Sequence, residues 1–331
     1  MKSILMTLAI ALPLMATSAG AAGLRMIDIP ADAEGPALTG AVWYPCIGVP
    51  TDVKTGPITL PAVKDCPVTG AGMPLVVVSH GVGGWWGGHH DVAETLADAG
   101  FVVAAINHPL DSGMAQQTRR PGDIASMIER PADIKRLIDH MLGPWPDSAR
   151  IDPERIGFFG FSRGGYTGLV AIGGNPEFRL LLDNCPSYPG NRWCEQIREG
   201  STLARPLVHD TRIRAAVIAD PALGAQFTAA GLAAVAVPVQ LWASERGGDG
   251  VLPRDAATVA RALPVKPDYR IVPNSGHFAF MAPCSPELAR LVADHGEPEI
   301  CADENGFDRV AFHRQFDADV LQFFQARLPK P

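Results

Sequence analysis

The chain contains 331 residues, of which 47% are hydrophobic and 19% are charged, and its formal net charge is −7. This composition excludes a disordered polymer, and the mildly acidic balance lacks the basic surface expected of a nucleic-acid-binding protein. The length is sufficient for a large α/β domain with a substantial buried core.

The first 22 residues have the pattern of a secretory signal peptide. Lys2 precedes a short apolar run from Ile4 to Met15, and the small residues 19–22 offer a cleavage site. The run is short for a bilayer span, which favours cleavage over a membrane anchor. We therefore predict an exported protein, secreted or periplasmic, with no membrane-spanning segment in the mature chain.

Cysteine usage agrees with export. All six cysteines follow the predicted signal peptide, and an even number in an exported protein indicates disulfide bonds. Proximity along the chain favours the pairs Cys46–Cys66, Cys185–Cys194 and Cys284–Cys301. A zinc site is the alternative, but no C-x-x-C spacing supports it.

Beyond the signal peptide, the hydrophobic pattern predicts strands that alternate with helices. Residues 24–31 and 37–45 predict an antiparallel pair of strands, and the Pro-, Gly- and Thr-rich residues 45–72 predict a surface loop. Further strands are predicted at 74–81, 100–109, 155–162, 213–223, 237–245 and 269–277. Helices are predicted at 88–99, 123–142, directly after residue 162, at 254–262 and at 308–328.

This alternation predicts a single α/β domain over residues 23–331, in which a mostly parallel sheet is covered by helices on both faces. Pro131 lies within the predicted helix 123–142, where it either kinks the helix or begins a second one. Residues 174–210 interrupt the alternation with a long, polar, cysteine-bearing segment. We interpret this segment as a cap or lid over the active edge of the sheet.

One serine stands in a motif typical of catalytic nucleophiles. Residues 160–164 read G-x-S-x-G around Ser162, between a predicted buried strand and a predicted helix. This context favours a sharp turn that lifts the serine hydroxyl above the sheet. The alternative is an ordinary strand–helix turn that happens to contain a serine.

A serine nucleophile requires a base and an acid that orients the base. His277 follows the last predicted strand in a turn rich in Asn, Ser and Gly, and the order serine–acid–histidine fits this topology. Asp220 ends the strand at 213–223, whereas Glu245 and Asp249 follow the next strand. We favour Asp220, because a carboxylate at the end of an apolar strand is partly buried, and leave the other two as alternatives.

The transition state also requires two backbone N–H groups as an oxyanion hole. Arg163 follows the serine, and Val82 lies between glycines in the loop after the strand predicted at 74–81. His80, near the end of that strand, either braces the loop or is an ordinary turn histidine. Trp85 and Trp86 follow in the same loop. They form either an apolar wall for the substrate or a packing contact with the cap.

Taken together, these segments resemble the platelet-activating-factor acetylhydrolase-like branch of the α/β-hydrolases, whose bacterial members are often called predicted dienelactone hydrolases. The resemblance is carried by VVVSHGVGG, AGFVVAAINHP, RPADIKRLIDHML, IDPERIGFFGFSRGG, AVIADPAL, PVQLWASE and SGHFAF. It implies the α/β-hydrolase fold and an acid after the earlier strand, which supports Asp220. True dienelactone hydrolases use a cysteine where this chain has Ser162. The insertion at 174–210 also departs from the shorter connection expected of the family.

The resulting prediction is an exported, monomeric serine hydrolase of carboxylic esters, with Ser162, Asp220 and His277 as its triad and no cofactor or metal. The substrate is a small or polymeric ester, and polyester-cleaving and phospholipid-cleaving activities are alternatives. A peptidase, a non-catalytic lipid- or carbohydrate-binding protein and a nucleotide-binding enzyme are rival classes. The last is disfavoured because the glycine loop does not read G-x-G-x-x-G.

Overall fold

A computed structural model describes residues 22–56, 58–114, 122–187, 192–200 and 206–330. All of the predicted signal peptide except Ala22 lies outside these ranges. Within them, no helix is both long and apolar enough to cross a membrane.

Ten strands form one sheet in the order β10-β9-β8-β7-β5-β6-β2-β1-β4-β3. The strands are β1 Gly23–Ile29, β2 Leu38–Tyr44, β3 Thr51–Thr55, β4 Ile58–Lys64, β5 Met73–Ser79, β6 Val102–Ile106, β7 Ile151–Phe161, β8 Ile213–Ala219, β9 Val239–Ser244 and β10 Asp268–Val272. The six strands from β10 to β6 run parallel, and β2 pairs antiparallel with both β6 and β1. The predicted mostly parallel sheet and the antiparallel N-terminal pair are therefore confirmed.

Helices cover both faces of the sheet. They are α1 His90–Asp98, α2 Ala125–Leu142, α3 Arg163–Ala171, α4 Arg192–Arg198, α5 Ala229–Leu232, α6 Pro253–Ala262, α7 Pro286–Asp294 and α8 Arg309–Arg327. One core cluster lies between the sheet and helices α2, α3 and α6, and a second lies between the sheet and helices α1 and α8. Every residue of β5 and β6 is buried, which explains why these strands are continuous apolar runs rather than alternating ones. Helix α2 continues through Pro131 as one helix.

The prediction of a surface loop over residues 45–72 is wrong. This region contains the antiparallel hairpin of β3 and β4, and β4 also pairs with β1 at the edge of the sheet. Ile58, Leu60 and Ala62 are buried, whereas Thr59 and Pro61 between them are exposed. The strand-like alternation of β4 was masked by the many turn-forming residues around it.

The predicted pairing of the cysteines is confirmed. Disulfides join Cys46 to Cys66, Cys185 to Cys194 and Cys284 to Cys301. No free cysteine occurs, and all six lie within the described part of the chain. The first disulfide ties the end of β2 to the end of the β3–β4 hairpin, the second lies in the segment 174–210, and the third anchors the region around α7.

Candidate active site

Ser162 lies at the sharp turn between β7 and α3. Its backbone has φ 56° and ψ −118°, a conformation that a residue with a side chain rarely adopts. The turn is held from the neighbouring strand, because the N–H of Ser162 donates to the carbonyl of Ala219 and its own carbonyl accepts from the N–H of Ala222, both at 3.0 Å. Such local strain occurs where the surrounding structure imposes it, as at a nucleophile elbow.

Close packing requires both glycines of the serine motif. A Cβ atom at Gly160 would collide with the carbonyl of Gly164, and a Cβ atom at Gly164 would collide with the carbonyl of Ser79 at the end of β5. The two glycines are therefore required because β7, the turn at Ser162 and the end of β5 pack too closely for a side chain at either position.

His277 begins a short 3-10 turn after β10 and is only 2% exposed. Its Nδ1–H donates to Oδ2 of Asp220 at 2.7 Å, across 57 residues of sequence. The imidazole also stacks on Phe161, the neighbour of Ser162, with ring centroids 4.6 Å apart. Nε2 is buried and has no hydrogen-bond partner within the described chain, so it is not hydrogen-bonded to Ser162. The hydrogen bond to Asp220 fixes the orientation of the ring and leaves Nε2 on the side away from the carboxylate.

The two alternative acids lie elsewhere. Glu245 is exposed, and its Oε2 accepts the backbone N–H of Asn274 at 2.6 Å. Asp249 is exposed in the turn that follows. In the described residues neither carboxylate hydrogen-bonds His277, whereas Asp220 does.

Ser244, at the end of β9, supports Asp220 and was missed by sequence reasoning. Its backbone N–H donates to Oδ1 of Asp220 at 2.9 Å, and its hydroxyl donates to Oδ2 at 2.7 Å. The same hydroxyl accepts the N–H of Gly247, whose carbonyl accepts the N–H of His277. The available signal was a serine that ends the apolar strand VQLWAS at the same edge of the sheet.

The loop after β5 approaches the serine closely. A Cβ atom at Gly81 would lie 3.2 Å from Cβ of Ser162, a contact so tight that the neighbour would have to shift by a few tenths of an ångström. Val82, the first predicted oxyanion donor, is the next residue of this loop, and the second, Arg163, begins α3. Val82 is thus adjacent to the residue that approaches Ser162, Arg163 follows Ser162 in the chain, and the role of both in binding an oxyanion stays a prediction.

His80 holds this loop in place. Its Nε2 accepts the backbone N–H of His108 at 3.1 Å, so the proton lies on Nδ1, which donates to the carbonyl of Gly81 at 2.6 Å. Burial, followed by the nearby Arg130 charge, lowers the pKa of His80 to about 3. His80 is therefore neutral at physiological pH and keeps this pair of hydrogen bonds.

A buried ion pair lies beneath the loop and the elbow. Arg130 of α2, 1% exposed, donates to Asp111 at 2.6 Å, to the Thr167 hydroxyl at 2.9 Å and to the carbonyl of His80. Asp111 also accepts from the Arg163 side chain at 2.9 Å. Burial lowers the pKa of Arg130 to about 10, which leaves the guanidinium charged at neutral pH. The network joins α2 and α3 to the loop after β5, and the sequence carried no local signal for it.

A second serine–histidine–aspartate chain occurs in the interior. His108 hydrogen-bonds Ser79 and Asp133, each at 2.9 Å. Ser79 is fully buried, and its oxygen already accepts a hydrogen bond from Arg130. Burial raises the pKa of Asp133 to about 8, so this carboxyl group is mostly protonated at neutral pH. Ser79 and His108 are at most 1% exposed, and the proposed reaction does not use this chain of hydrogen bonds.

The two tryptophans of the loop are largely buried. Trp85 and Trp86 are 8% and 9% exposed and pack edge to face with centroids 4.6 Å apart. Trp86 also packs against Trp43 of β2 at 5.6 Å. Both side chains therefore contribute to the core, and a contact with substrate stays a prediction.

The segment 174–210 packs close to the elbow where it is described. A 3-10 helix at Phe178–Ser187 and helix α4 are joined by the Cys185–Cys194 disulfide. The Trp193 ring lies 4.9 Å from the guanidinium of Arg163, a cation–π contact with the residue after Ser162. This contact places α4 next to the candidate site, and its action as a lid stays a prediction.

Comparison with known proteins agrees with this architecture. The family model of platelet-activating factor acetylhydrolase, isoform II, matches residues 39–129, a range that includes the loop after β5 but not residues 162, 220 or 277. A ferulic acid esterase from Streptomyces cinnamoneus superposes with a TM-score of 0.63 at 20% identity, over 96% of this chain and 94% of that one. A dienelactone hydrolase from Anabaena variabilis aligns with a TM-score of 0.48 at 17% identity, over 83% and 95% of the two chains. No curated protein matches the sequence.

The chain therefore has the α/β-hydrolase fold. The resemblance seen in the sequence is confirmed by the family match over residues 39–129. The matched family and the esterase neighbour are both named for hydrolysis, one of an acetyl group and the other of an ester.

Proposed function

We propose that the protein is an ester hydrolase that uses Ser162 as nucleophile, His277 as general base and Asp220 as the orienting acid. One observation carries the proposal. A buried imidazole is held by Asp220 through Nδ1, has an unpartnered Nε2, and stacks on the residue next to a strained serine. Activation of the serine requires a hydrogen bond from its hydroxyl to the base nitrogen, so the mechanism requires the Ser162 hydroxyl to turn towards Nε2, which no other group of the described chain occupies.

In the proposed mechanism, the hydroxyl of Ser162 attacks the ester carbonyl while Nε2 of His277 takes its proton. Asp220 stabilises the imidazolium formed in this step. The N–H groups of Val82 and Arg163 bind the tetrahedral oxyanion, in positions fixed by the His80 brace and the buried ion pair below. His277 then protonates the leaving alcohol, and water hydrolyses the acyl-enzyme by the same sequence of steps.

The proposal extends to export and to the cap. Three disulfides support an oxidising compartment, and removal of residues 1–22 as a signal peptide would deliver the chain there. Under this proposal, helix α4 limits the size of the acyl or alcohol group that reaches Ser162, which is supported by the contact between Trp193 and Arg163. Intact-mass measurement of the protein recovered from the culture medium or periplasm tests the cleavage.

The decisive experiment compares native protein with Ser162→Ala on p-nitrophenyl esters of short to long acyl chain, with phospholipid, polyester and p-nitroanilide substrates in parallel. We expect the substitution to remove nearly all ester turnover, at least 10³-fold, while the circular dichroism spectrum is unchanged. Fluorophosphonate labelling should occur in the native protein and be lost in Ser162→Ala. The matched control is Ser126→Ala, a buried serine of α2 whose hydroxyl donates to the carbonyl of Asp123 at the start of that helix. Wild-type ester hydrolysis by Ser162→Ala would refute the mechanism.

A further inference from the structure

Three ligand-type side chains converge between α1 and α8, in a cluster that the proposed reaction does not use. They are Asp91 of α1 and His313 and Asp317 of α8. Nδ1 of His313 lies 2.6 Å from Oδ2 of Asp91 and 4.0 Å from Oδ1 of Asp317, and the three ligand atoms lie within 4.8 Å of one another. The contact between Asp91 and His313 joins positions that are 222 residues apart, so no local sequence motif predicts it.

The orientation of His313 directs its other nitrogen towards the carboxylates. Its Nε2–H donates to the carbonyl of Ala279 at 2.8 Å, because that carbonyl can only accept. Nδ1 therefore faces the two carboxylates, as in metal sites where a backbone carbonyl fixes the tautomer of a ligating histidine. The ring is 3% exposed and therefore lies in the interior.

The cluster has more acceptor atoms than donors. Asp317 is 9% exposed, and its Oδ1, which faces His313, is buried without a hydrogen-bond partner in the described chain. Across that part of the chain, no lysine or arginine forms an ion pair with Asp91 or Asp317. Two carboxylates aimed at one imidazole nitrogen need either extra protons or a cation between them.

Protons compete with a cation for the ligand atoms of this cluster. Burial, together with the charges of Asp91 and Glu94, raises the pKa of Asp317 to about 9. His89 and His90 are the remaining titratable groups that act on Asp91. A cation would replace the shared protons and satisfy all three ligand atoms at once.

We propose that Asp91, His313 and Asp317 bind a divalent cation of the zinc class at the α1–α8 contact. Tetrahedral ligation by one imidazole nitrogen and two carboxylate oxygens at about 2.0–2.1 Å separates the donor atoms by roughly 3.3 Å. The two observed separations from His313, 2.6 and 4.0 Å, lie on either side of that value, so a ring displacement of about 0.7 Å reaches it. The imidazole favours zinc over magnesium or calcium, which prefer oxygen ligands alone.

Such a site would act on the turn that carries His277. Ala279, whose carbonyl holds His313, lies in the same 3-10 turn as His277, two residues further along. The cation would fix α1 and α8 to each other and, through His313, to this turn. It takes no part in the ester chemistry, so binding can be measured whether or not the proposed hydrolysis occurs.

The test is calorimetric titration of the tag-free, chelator-treated mature chain with ZnCl2, alongside MgCl2 and CaCl2. We expect one Zn²⁺ per chain, no comparable heat from the other two cations, and a rise in Tm of about 5 °C when Zn²⁺ is at 100 times its Kd. Asp317→Asn preserves the side-chain size and should weaken Zn²⁺ binding at least 10-fold while its metal-free Tm stays at or above that of the native chain.

Two control variants make the result specific. Asp319→Asn lies on the same helix but pairs with Arg270, and it should bind Zn²⁺ as the native chain does. His277→Ala should also retain Zn²⁺ binding, which excludes the Asp220–His277 pair as the source of the heat. Two results would overturn the proposal. One is no Zn²⁺ binding at about 100 μM Zn²⁺, a concentration at which even a weak site would be partly filled. The other is equal Zn²⁺ affinity in the native and Asp317→Asn proteins. Either result would leave the cluster as an ion pair that shares protons.

Discussion

Ser244 donates two hydrogen bonds to Asp220, one from its backbone N–H and one from its hydroxyl. The hydroxyl bonds the same carboxylate oxygen that accepts Nδ1–H of His277. The end of β9 therefore positions a carboxylate that belongs to the end of β8. Ser244 is a positioning residue, because it acts on the imidazole only through Asp220.

Replacement of this hydroxyl tests its role. Ser244→Ala should lower kcat for a short-chain ester about 10-fold with little change in KM, because a less well-held carboxylate orients His277 less precisely. Asp220→Asn should lower kcat far more, by about 10⁴-fold. The matched control is Ser275→Ala, which removes a buried hydroxyl that donates to the carbonyl of Val272 and not to Asp220. An equal loss in Ser244→Ala and Ser275→Ala would show that the effect is general destabilisation.

The buried ion pair of Arg130 should contribute strongly to stability. Arg130→Met removes the donors to Thr167 and to the loop carbonyl of His80 and leaves Asp111 paired with Arg163 alone. We expect the free energy of unfolding, measured in urea, to fall by about 3–5 kcal/mol. Arg214→Met breaks an exposed pair with Glu154 and should cost at most about 1 kcal/mol. Similar losses in the two variants would contradict a structural role for the buried pair.

Stability should fall in acid because His80 is buried as a neutral group. The folded-state pKa is lowered to about 3 by burial and by the charges of Arg130 and His89, which outweigh the raising effect of Asp111, whereas the unfolded value is about 6.5. Between these pH values His80 is protonated in the unfolded chain but not in the folded chain. Its contribution to the free energy of unfolding is therefore fully present above pH 6.5 and is lost as the pH falls towards 3. Between pH 7 and 4 this amounts to about 3 kcal/mol.

His80→Gln removes this titration and should flatten the decline in unfolding free energy between pH 7 and 4, measured by urea titration at several pH values. His295→Gln changes an exposed histidine and should leave the pH profile as it is in the native chain. Parallel pH profiles for native and His80→Gln proteins would show that other buried groups, such as His108, account for acid sensitivity.

The cap disulfide should affect substrate size selection more than stability. The double variant Cys185→Ser, Cys194→Ser loosens α4 and the Trp193 contact with Arg163. We expect KM for long-chain esters to change at least 3-fold, with kcat/KM for p-nitrophenyl acetate within about 2-fold of native. Cys46→Ser with Cys66→Ser breaks a disulfide at the far edge of the sheet and should leave this selectivity unchanged. Loss of selectivity in both double variants would assign the effect to general loosening.

Most of the sheet could be predicted from the sequence, because strands buried on both faces must be continuous apolar runs. The prediction of a loop over residues 45–72 was wrong for the opposite reason. An edge hairpin is buried on one face only, and its short alternation is outweighed by Pro, Gly and Thr nearby. The cysteine pairs were predictable because each closes a short stretch of chain.

The sequence by itself determined most of the strands and helices and the residue types proposed for the chemistry: Ser162 in a glycine motif, and His277 and Asp220 at strand ends. Those features are local, and local patterns can be read along a chain. Only the tertiary structure decided that Asp220 rather than Glu245 meets His277, and it alone brought Ser244, Arg130 and Asp111 to that edge. These contacts join distant segments through single side chains in the folded core, and neither periodicity nor spacing encodes such pairings.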